Sequence, residues 1–130
     1  MLITTIALAL AAGQPATLAG DWLTDDRSAI VRIGPCGATL CGRVLRVLVR
    51  GAPANDVNNP DPAARRRSIV GAAVLSGFRP SGPRSATGGR AYDPKTGRSY
   101  RASLQLNANG TLKVTGCVLF VCRSRTWTRR

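Results

Sequence analysis

Alternating apolar and polar residues occur in short segments along most of the sequence, and turn residues separate these segments. The segment 99–106 places Tyr100 and three further apolar residues on one face, and the segment 111–115 alternates in the same way. Alternation with a period of two is typical of a β-strand with one buried face. Asn109 and Gly110, between the two segments, are a residue pair favoured in tight hairpin turns. The sequence therefore predicts a β-hairpin here.

About eight antiparallel strands are predicted when the same criteria are applied to the whole chain. Their bounds are 20–23, 29–33, 39–49, 68–78, 89–92, 99–106, 111–115 and 118–129. The segment 68–78 fits either a strand with a bulge or a short buried helix. The Pro-, Ser- and Gly-rich segment 80–88 is predicted to be a loop. Eight strands suit an all-β fold, a small antiparallel up-and-down β-barrel, because closure leaves no free edge strand.

Residues 51–67 form the longest irregular segment, and its last five residues are predicted to form one helical turn with Asp61 as the N-cap. Asp56, Asn58 and Asp61 begin like a calcium-binding loop, but the glycine and the closing glutamate of such a loop are missing. Turn and capping roles are therefore preferred for these residues, with a ligand-contacting loop as the alternative. Arg67 is expected to form an exposed ion pair with Asp56 or Asp61.

An apolar run at residues 2–12 has the length of the hydrophobic region of a signal peptide and is too short to span a bilayer. Ala9-Leu10-Ala11 and Gln14-Pro15-Ala16 are candidate cleavage sites. The sequence thus predicts a signal peptide over residues 1–16 and a single β-barrel domain over residues 17–130. The mature chain is predicted to have no transmembrane segment, and its expected location is periplasmic or secreted.

Four cysteines occur as two pairs with the same spacing, Cys36 with Cys41 and Cys117 with Cys122. An even number of cysteines in a short exported chain favours disulfide bonds. Each pair brackets a predicted tight turn, so pairing within each pair is preferred to bridges that join the two pairs. Zinc binding is a further alternative, but zinc sites usually have more closely spaced cysteines.

The composition excludes several kinds of catalytic site. The chain contains no His and no Glu, and all six acidic residues are Asp. Without His, neither a Ser-His-Asp triad nor a Cys-His pair can be built. Tyr92, Asp93 and Tyr100 are candidates for proton transfer, but a turn aspartate beside two half-buried tyrosines is the preferred interpretation. We therefore predict no enzyme activity, no metal site and no cofactor.

A net charge of +13 is large for 130 residues, and it comes mainly from Arg. Clusters lie at Arg65–Arg67 and among the last eight residues. Such charge attracts polyanions, and in a periplasm the expected partners are anionic lipid headgroups, lipopolysaccharide phosphates and cell-wall polymers. Aromatic residues make up only 5% of the chain, which gives a poor stacking surface for single-stranded nucleic acid. Nucleic-acid binding is therefore not predicted, and a solvated basic surface is the simplest interpretation.

Seven short motifs follow one another between residues 20 and 129. They are Gly20-Asp21-Trp22, Cys36-Gly37 with Leu40–Val44, Asp56–Pro62, Arg65–Gly71, Gly88–Pro94, Gly97–Tyr100 and Thr126–Arg129. In this order they resemble the bacterial exported family known as domain of unknown function 2147. The resemblance implies a periplasmic or secreted β-rich domain and does not imply an activity.

Trp22, two residues after Gly20 on the first predicted strand, and an Arg near the end of the last strand resemble the arrangement in lipocalin barrels. In those barrels the indole packs across the base under the Arg side chain. The matching residue is Arg129 or Arg125, and a guanidinium over an indole face stabilises by about 0.5–2 kcal/mol. A simple core position for Trp22 is the alternative. Trp127, in the last motif, is also assigned a structural role.

The sequence predicts a small, monomeric, exported binding module. Its expected ligand is an apolar or amphipathic small molecule, or an anionic component of the cell envelope. The candidate ligand-binding residues are Trp22, Asn58, Asp61, Arg67, Tyr92 and Tyr100. If Leu, Val and Ile side chains fill the barrel, no ligand cavity remains. The alternative is then a basic envelope structural or interaction protein that acts through its surface Arg clusters.

Overall fold

Eight strands carry the alternating pattern in the computed structural model, which describes residues 17–130. They are β1 (Gly20–Leu23), β2 (Ala29–Cys36), β3 (Thr39–Val47), β4 (Ala73–Gly82), β5 (Ser85–Asp93), β6 (Arg98–Leu106), β7 (Leu112–Val118) and β8 (Val121–Arg129). Each strand pairs antiparallel with the next, and β1 also pairs with β8. The sheet therefore closes into an up-and-down barrel, which confirms the predicted fold class. The predicted signal peptide lies outside the described residues.

The connections between strands define two ends of the barrel. The β1–β2, β3–β4, β5–β6 and β7–β8 connections share one end, which we call the mouth. The other three connections lie at the opposite end, which we call the base, together with the segment 17–19 that precedes β1. The only helix in residues 17–130 is a short 3-10 turn, Pro62–Ala64, and no helix of this part is long and apolar enough to cross a bilayer.

The hairpin predicted from residues 99–115 forms as β6 and β7. Its turn contains Asn109 and Gly110, and the Gly110 amide donates to the Asn107 carbonyl oxygen over 3.0 Å. Leu104 faces Val114, and Leu106 faces Leu112. These side chains are buried in the barrel, as the alternation predicts.

The prediction of a loop over residues 80–88 is wrong. Strand β4 continues to Gly82, and β5 begins at Ser85, so only two residues connect them. Pro80 fits in β4 because this part of the strand extends beyond the last residue pair with β3, at Leu40 and Phe78. No neighbouring strand on that side needs the amide hydrogen that proline lacks.

Strand β4 also begins later than predicted, at Ala73, and residues 68–72 belong to the loop. The predicted bulge is present, because the β3–β4 register shifts between Leu40 and Gly42 and Gly77 has a φ of 71°. The long β3–β4 loop spans residues 48–72. Within it the Asp61 carboxylate accepts a hydrogen bond from the Ala63 amide over 3.0 Å, so Asp61 caps the 3-10 turn as predicted.

Candidate functional site

The base of the barrel is closed by Trp22 and Arg129. The guanidinium carbon of Arg129 lies 4.1 Å from the centre of the fully buried indole ring. Arg129 also donates to the carbonyl oxygens of Thr17 and Ala19 over 2.8 and 3.1 Å, and the indole nitrogen donates to the Leu18 carbonyl oxygen over 2.9 Å. These bonds fasten the segment 17–19 under the barrel, and Leu18 is buried there. The base is therefore sealed against ligand entry.

Large side chains fill the barrel next to this seal. The fully or almost fully buried ones are Trp22, Phe78, Leu75, Leu104, Leu112 and Val31. Gly89 is required beside Phe78, because a Cβ atom at position 89 would overlap the phenyl ring. The lower part of the barrel is thus a packed core without room for a ligand.

The upper part contains an open cavity of about 1030 Å³ that reaches the mouth. Short aliphatic side chains form a large part of its wall. The aliphatic and glycine members of the wall include Ala29, Val31, Val44, Val47, Val74, Ala91, Val114 and Gly116. Val31 and Leu75, from the packed layer, also line the cavity, and the short side chains above them leave the space open.

Three aromatic residues from the sequence analysis line the cavity, Tyr92, Tyr100 and Trp127. The Tyr100 ring packs over Gly116, where an added Cβ atom would lie 3.0 Å from the ring. Burial raises the pKa of Tyr100, so its hydroxyl stays neutral at ordinary pH. Trp22 does not line the cavity, because it lies below the packed layer. The structure therefore places Trp22 at the base, and the aromatic residues of the cavity wall are Tyr92, Tyr100 and Trp127.

A buried hydrogen-bonded group holds the long loop against the wall at the mouth. The Tyr92 hydroxyl donates to the Asp56 carboxylate, with its oxygen 2.7 and 2.9 Å from the two carboxylate oxygens. The side-chain amide of Asn59 donates to the same carboxylate over 2.9 Å. Asp56 is the only buried charged residue in the described part of the chain. Burial and the bond to Asp56 raise the pKa of Tyr92 to about 12.

Substitution of Tyr92 by Phe is expected to lower the free energy of unfolding by about 1.5–3 kcal/mol, because the buried Asp56 loses a hydrogen-bond donor. Neutral Tyr92 stabilises the fold below pH 10, and this contribution is lost as the pH rises toward 12. Urea unfolding measured between pH 7 and 12 should therefore show that the free energy of unfolding decreases less steeply with pH in Tyr92→Phe than in the wild type. Tyr100→Phe is the control for the loss at pH 7, because no buried carboxylate loses a donor in that variant. An unchanged alkaline profile of Tyr92→Phe would contradict the assignment.

The β5–β6 turn leans over the mouth and contacts two other connections. The Asn58 side-chain amide donates to the carbonyl oxygens of Pro94 and Lys95, each over 3.1 Å. Lys95 forms an ion pair with Asp26 of the β1–β2 turn. Burial acts to raise the pKa of Asp26, but hydrogen bonds from Lys95, Ser28 and Thr24 outweigh it and hold the pKa below its ordinary value. The pair joins connections from opposite sides of the opening.

Basic side chains line the cavity near the mouth, and their partners differ. Arg125 lies 3.7 Å from Asp25, and Arg98 is opposite Asp93 in the β5–β6 register. Arg123 is opposite Gly116 in the β7–β8 register, and no acidic side chain of residues 17–130 lies within ion-pair distance of it. Arg98 and Arg123 thus both line the cavity without an ion-pair partner among residues 17–130, and of the two only Arg123 has no acidic residue opposite it in the register.

Of the ligand-binding candidates from the sequence, Asn58, Tyr92 and Tyr100 line the cavity. Asp61 and Arg67 do not line it, and both are exposed on the long loop. The expected ion pair of Arg67 is absent from residues 17–130, and instead its carbonyl oxygen accepts from the Asp56 amide over 2.9 Å. Sequence reasoning missed Lys95 and Asp26, since only barrel closure brings them together.

The two cysteine pairs are joined as local pairing predicts. Cys36 and Cys41 lie at the base, with Cα atoms 5.7 Å apart, and Cys117 and Cys122 lie at the mouth, 4.1 Å apart. Each disulfide closes one hairpin, and no free cysteine remains in the described part of the chain. The bonds therefore reinforce turns at the two ends.

A family model described as "Uncharacterized protein conserved in bacteria (DUF2147)" matches residues 20–129. The chain belongs to this family. The match covers all eight strands, both disulfides and the cavity wall. It confirms the family resemblance of the seven sequence motifs.

A solved structure, described as "Protein HP1028 from the human pathogen Helicobacter pylori belongs to the lipocalin family", has a similar fold. The two chains are 28% identical, with a TM-score of 0.78 over 87% of this chain and 82% of that chain. No protein with a curated description matches the sequence. The likeness confirms the lipocalin-like architecture that Trp22 and its Arg partner indicated.

Proposed function

We propose that this member of the family is an exported binding module for a small amphipathic molecule with an apolar chain and an anionic head. The cavity at the mouth supports this proposal most directly. Its volume of about 1030 Å³ is at the upper end of the range usual for small-molecule sites. The fold of the HP1028 neighbour, described as a lipocalin, is a second support.

The apolar chain of the ligand would occupy the part of the cavity walled by aliphatic side chains. Val44, Val74 and Val114 present methyl groups there and no hydrogen-bonding groups. Removing an alkyl chain from water is favourable by about 0.8 kcal/mol per buried methylene group, so the wall supplies affinity without chemical specificity. The sealed base requires the ligand to enter and leave through the mouth.

The anionic head would lie at the mouth, next to Arg123. A carboxylate or phosphate accepts two parallel hydrogen bonds from a guanidinium group. Lys95 and Arg125 are already paired with Asp26 and Asp25, so they are less available. Arg98 has no ion pair but lies opposite Asp93 in the register, so an anionic head is less favoured there than beside Arg123. The Tyr100 hydroxyl, on the same wall, is a neutral donor for the same head group.

We also propose that the protein acts outside the cytoplasm and without catalysis. Two disulfide pairs in a short chain are typical of an oxidising compartment. The chain has no His and no Glu, and the tyrosine hydroxyls at the mouth have raised pKa values that oppose a role as general bases.

Binding of undecanoate and of undecanol, measured by displacement of the fluorescent acid 11-(dansylamino)undecanoate, tests the proposal. The wild type is expected to bind one probe and to prefer undecanoate. Arg123→Gln should weaken undecanoate binding about fivefold, which is the effect of losing a partly exposed charge pair. The affinity for undecanol should not change. Arg90→Gln, an exposed position outside the cavity, controls for total charge. Absence of saturable probe binding would contradict the proposed function.

A further inference from the structure

Four consecutive apolar residues project from the mouth at the β7–β8 turn. Val118, Leu119, Phe120 and Val121 are 61%, 79%, 100% and 63% exposed, and we call this segment the apolar tip. A run of exposed apolar residues is unfavourable in water and usually marks an interaction site. The packing of the barrel does not require it, because none of the four side chains is buried in the core.

The apolar tip is held in place by the structure around it. The Cys117–Cys122 disulfide closes the hairpin directly beneath the tip, and a side-chain nitrogen of Arg101 donates to the Leu119 carbonyl oxygen over 3.3 Å. Leu119 has a φ of 53°, a left-handed conformation that hairpin turns usually assign to Gly or Asn. A leucine at such a position costs stability and gains no burial within the barrel. A tip ordered in advance loses little conformational entropy on binding.

The charge of the protein selects among possible partners for the tip. The net charge of +13 opposes contact between two copies of the chain, whereas it attracts an anionic surface. Basic side chains lie immediately behind the tip at Arg101 and Arg123. On the other side of the mouth, Val49 and Val57 are also half exposed, so the whole opening combines apolar and basic groups.

We propose that the mouth docks on an anionic lipid bilayer, with the side chains of Leu119 and Phe120 inserted among the acyl chains and Arg101 at the headgroups. Apolar insertion combined with electrostatic attraction is the usual way in which a protein binds a membrane surface reversibly. The docked orientation turns the open cavity toward the lipid. The inference extends the proposed function by naming the surface at which the ligand enters, but the docking itself does not depend on the cavity.

Replacement of Leu119 by Gly together with Phe120 by Asn tests the docking. Of these two turn residues only position 119 has a positive φ, and a two-residue hairpin turn of this kind favours Gly there, so the variant removes the apolar side chains without weakening the turn. Cosedimentation is measured with dioleoylphosphatidylglycerol–dioleoylphosphatidylcholine vesicles and with dioleoylphosphatidylcholine vesicles alone. The wild type is expected to bind the anionic vesicles, and the variant to bind them at least about tenfold more weakly, the effect of losing two inserted apolar side chains. Leu45→Gln, an exposed apolar position on the barrel wall, should bind like the wild type.

Equal binding of the wild type and the tip variant to anionic vesicles would overturn the proposal, since the basic surface alone would then be responsible. The proposal would also be overturned if the wild type bound neutral and anionic vesicles equally well. It would be overturned too if the wild type bound no vesicles, and that result would favour a protein partner. Without vesicles, the tip variant should retain wild-type affinity for undecanoate. Vesicle binding without probe binding would refute the proposed function alone, and probe binding without vesicle binding would refute the docking alone.

Discussion

Replacing Trp22 with Ala is expected to lower the free energy of unfolding by about 3–5 kcal/mol, the range for truncation of a buried aromatic side chain. The indole is fully buried at the base, and three features depend on it: the packing against Leu18, the stack of Arg129, and the hydrogen bond to the Leu18 carbonyl oxygen. Ala leaves a cavity and removes the face on which the guanidinium lies. Urea unfolding followed by far-ultraviolet circular dichroism measures the loss.

Two further variants keep this prediction testable if the alanine variant does not fold. Trp22→Phe retains an aromatic ring but lacks the indole nitrogen, so it should lower the free energy of unfolding less than Trp22→Ala does. Arg129→Lys keeps the charge but removes the planar group that stacks on the indole and donates to Thr17 and Ala19. A loss below about 1.5 kcal/mol for Trp22→Ala, typical of partly exposed positions, would contradict a role in sealing the base.

Replacing Ala29 with Trp is expected to weaken the binding of 11-(dansylamino)undecanoate by roughly thirty- to a hundredfold, because the added indole occupies space that the ligand needs. Ala29 begins β2 at the mouth, is half-buried and lines the cavity. The open cavity can accept the larger side chain, so the effect on stability should be much smaller than that of Trp22→Ala.

Ser76→Trp is the matched control for this blocking variant. Ser76 lies in β4, is exposed and is not part of the cavity wall, so its indole should leave probe binding unchanged. Fluorescence titration of the three proteins decides between binding inside the barrel and binding on its outer surface. If Ala29→Trp binds the probe as well as the wild type, the ligand does not occupy the cavity.

Much of the barrel could be predicted from local sequence. In the β6–β7 hairpin, apolar and polar residues alternate clearly in both strands, and Asn109 and Gly110 lie between the strands. The two-residue alternation and the preference of Asn-Gly for hairpin turns were sufficient to predict it. The β4–β5 hairpin was missed because Pro80 and the surrounding glycines resemble a loop. Whether a proline fits in a strand depends on which strand lies beside it, and that neighbour is set by the closed sheet.

The site was only partly predictable for the same reason. Tyr92 and Tyr100 were candidates because tyrosines beside Asp93 could orient a ligand or transfer a proton, and both line the cavity. The ion pair between Asp26 and Lys95 joins residues 69 positions apart, and no short motif contains both. The cavity itself depends on the distribution of side-chain volumes between the two ends, which becomes visible only when the register of all eight strands is known.

Seven of the eight strand pairs join strands that follow one another in sequence. The eighth joins β1 to β8, and we call it the seam. That seam has two residue pairs, Trp22 with Arg129 and Leu23 with Thr128, whereas β6 and β7 have six. Folding can therefore advance hairpin by hairpin at a small entropic cost, and joining the first strand to the last is the one step that requires a long loop to close. The indole and the guanidinium meet at this seam, so they stabilise the contact that local sequence does least to form.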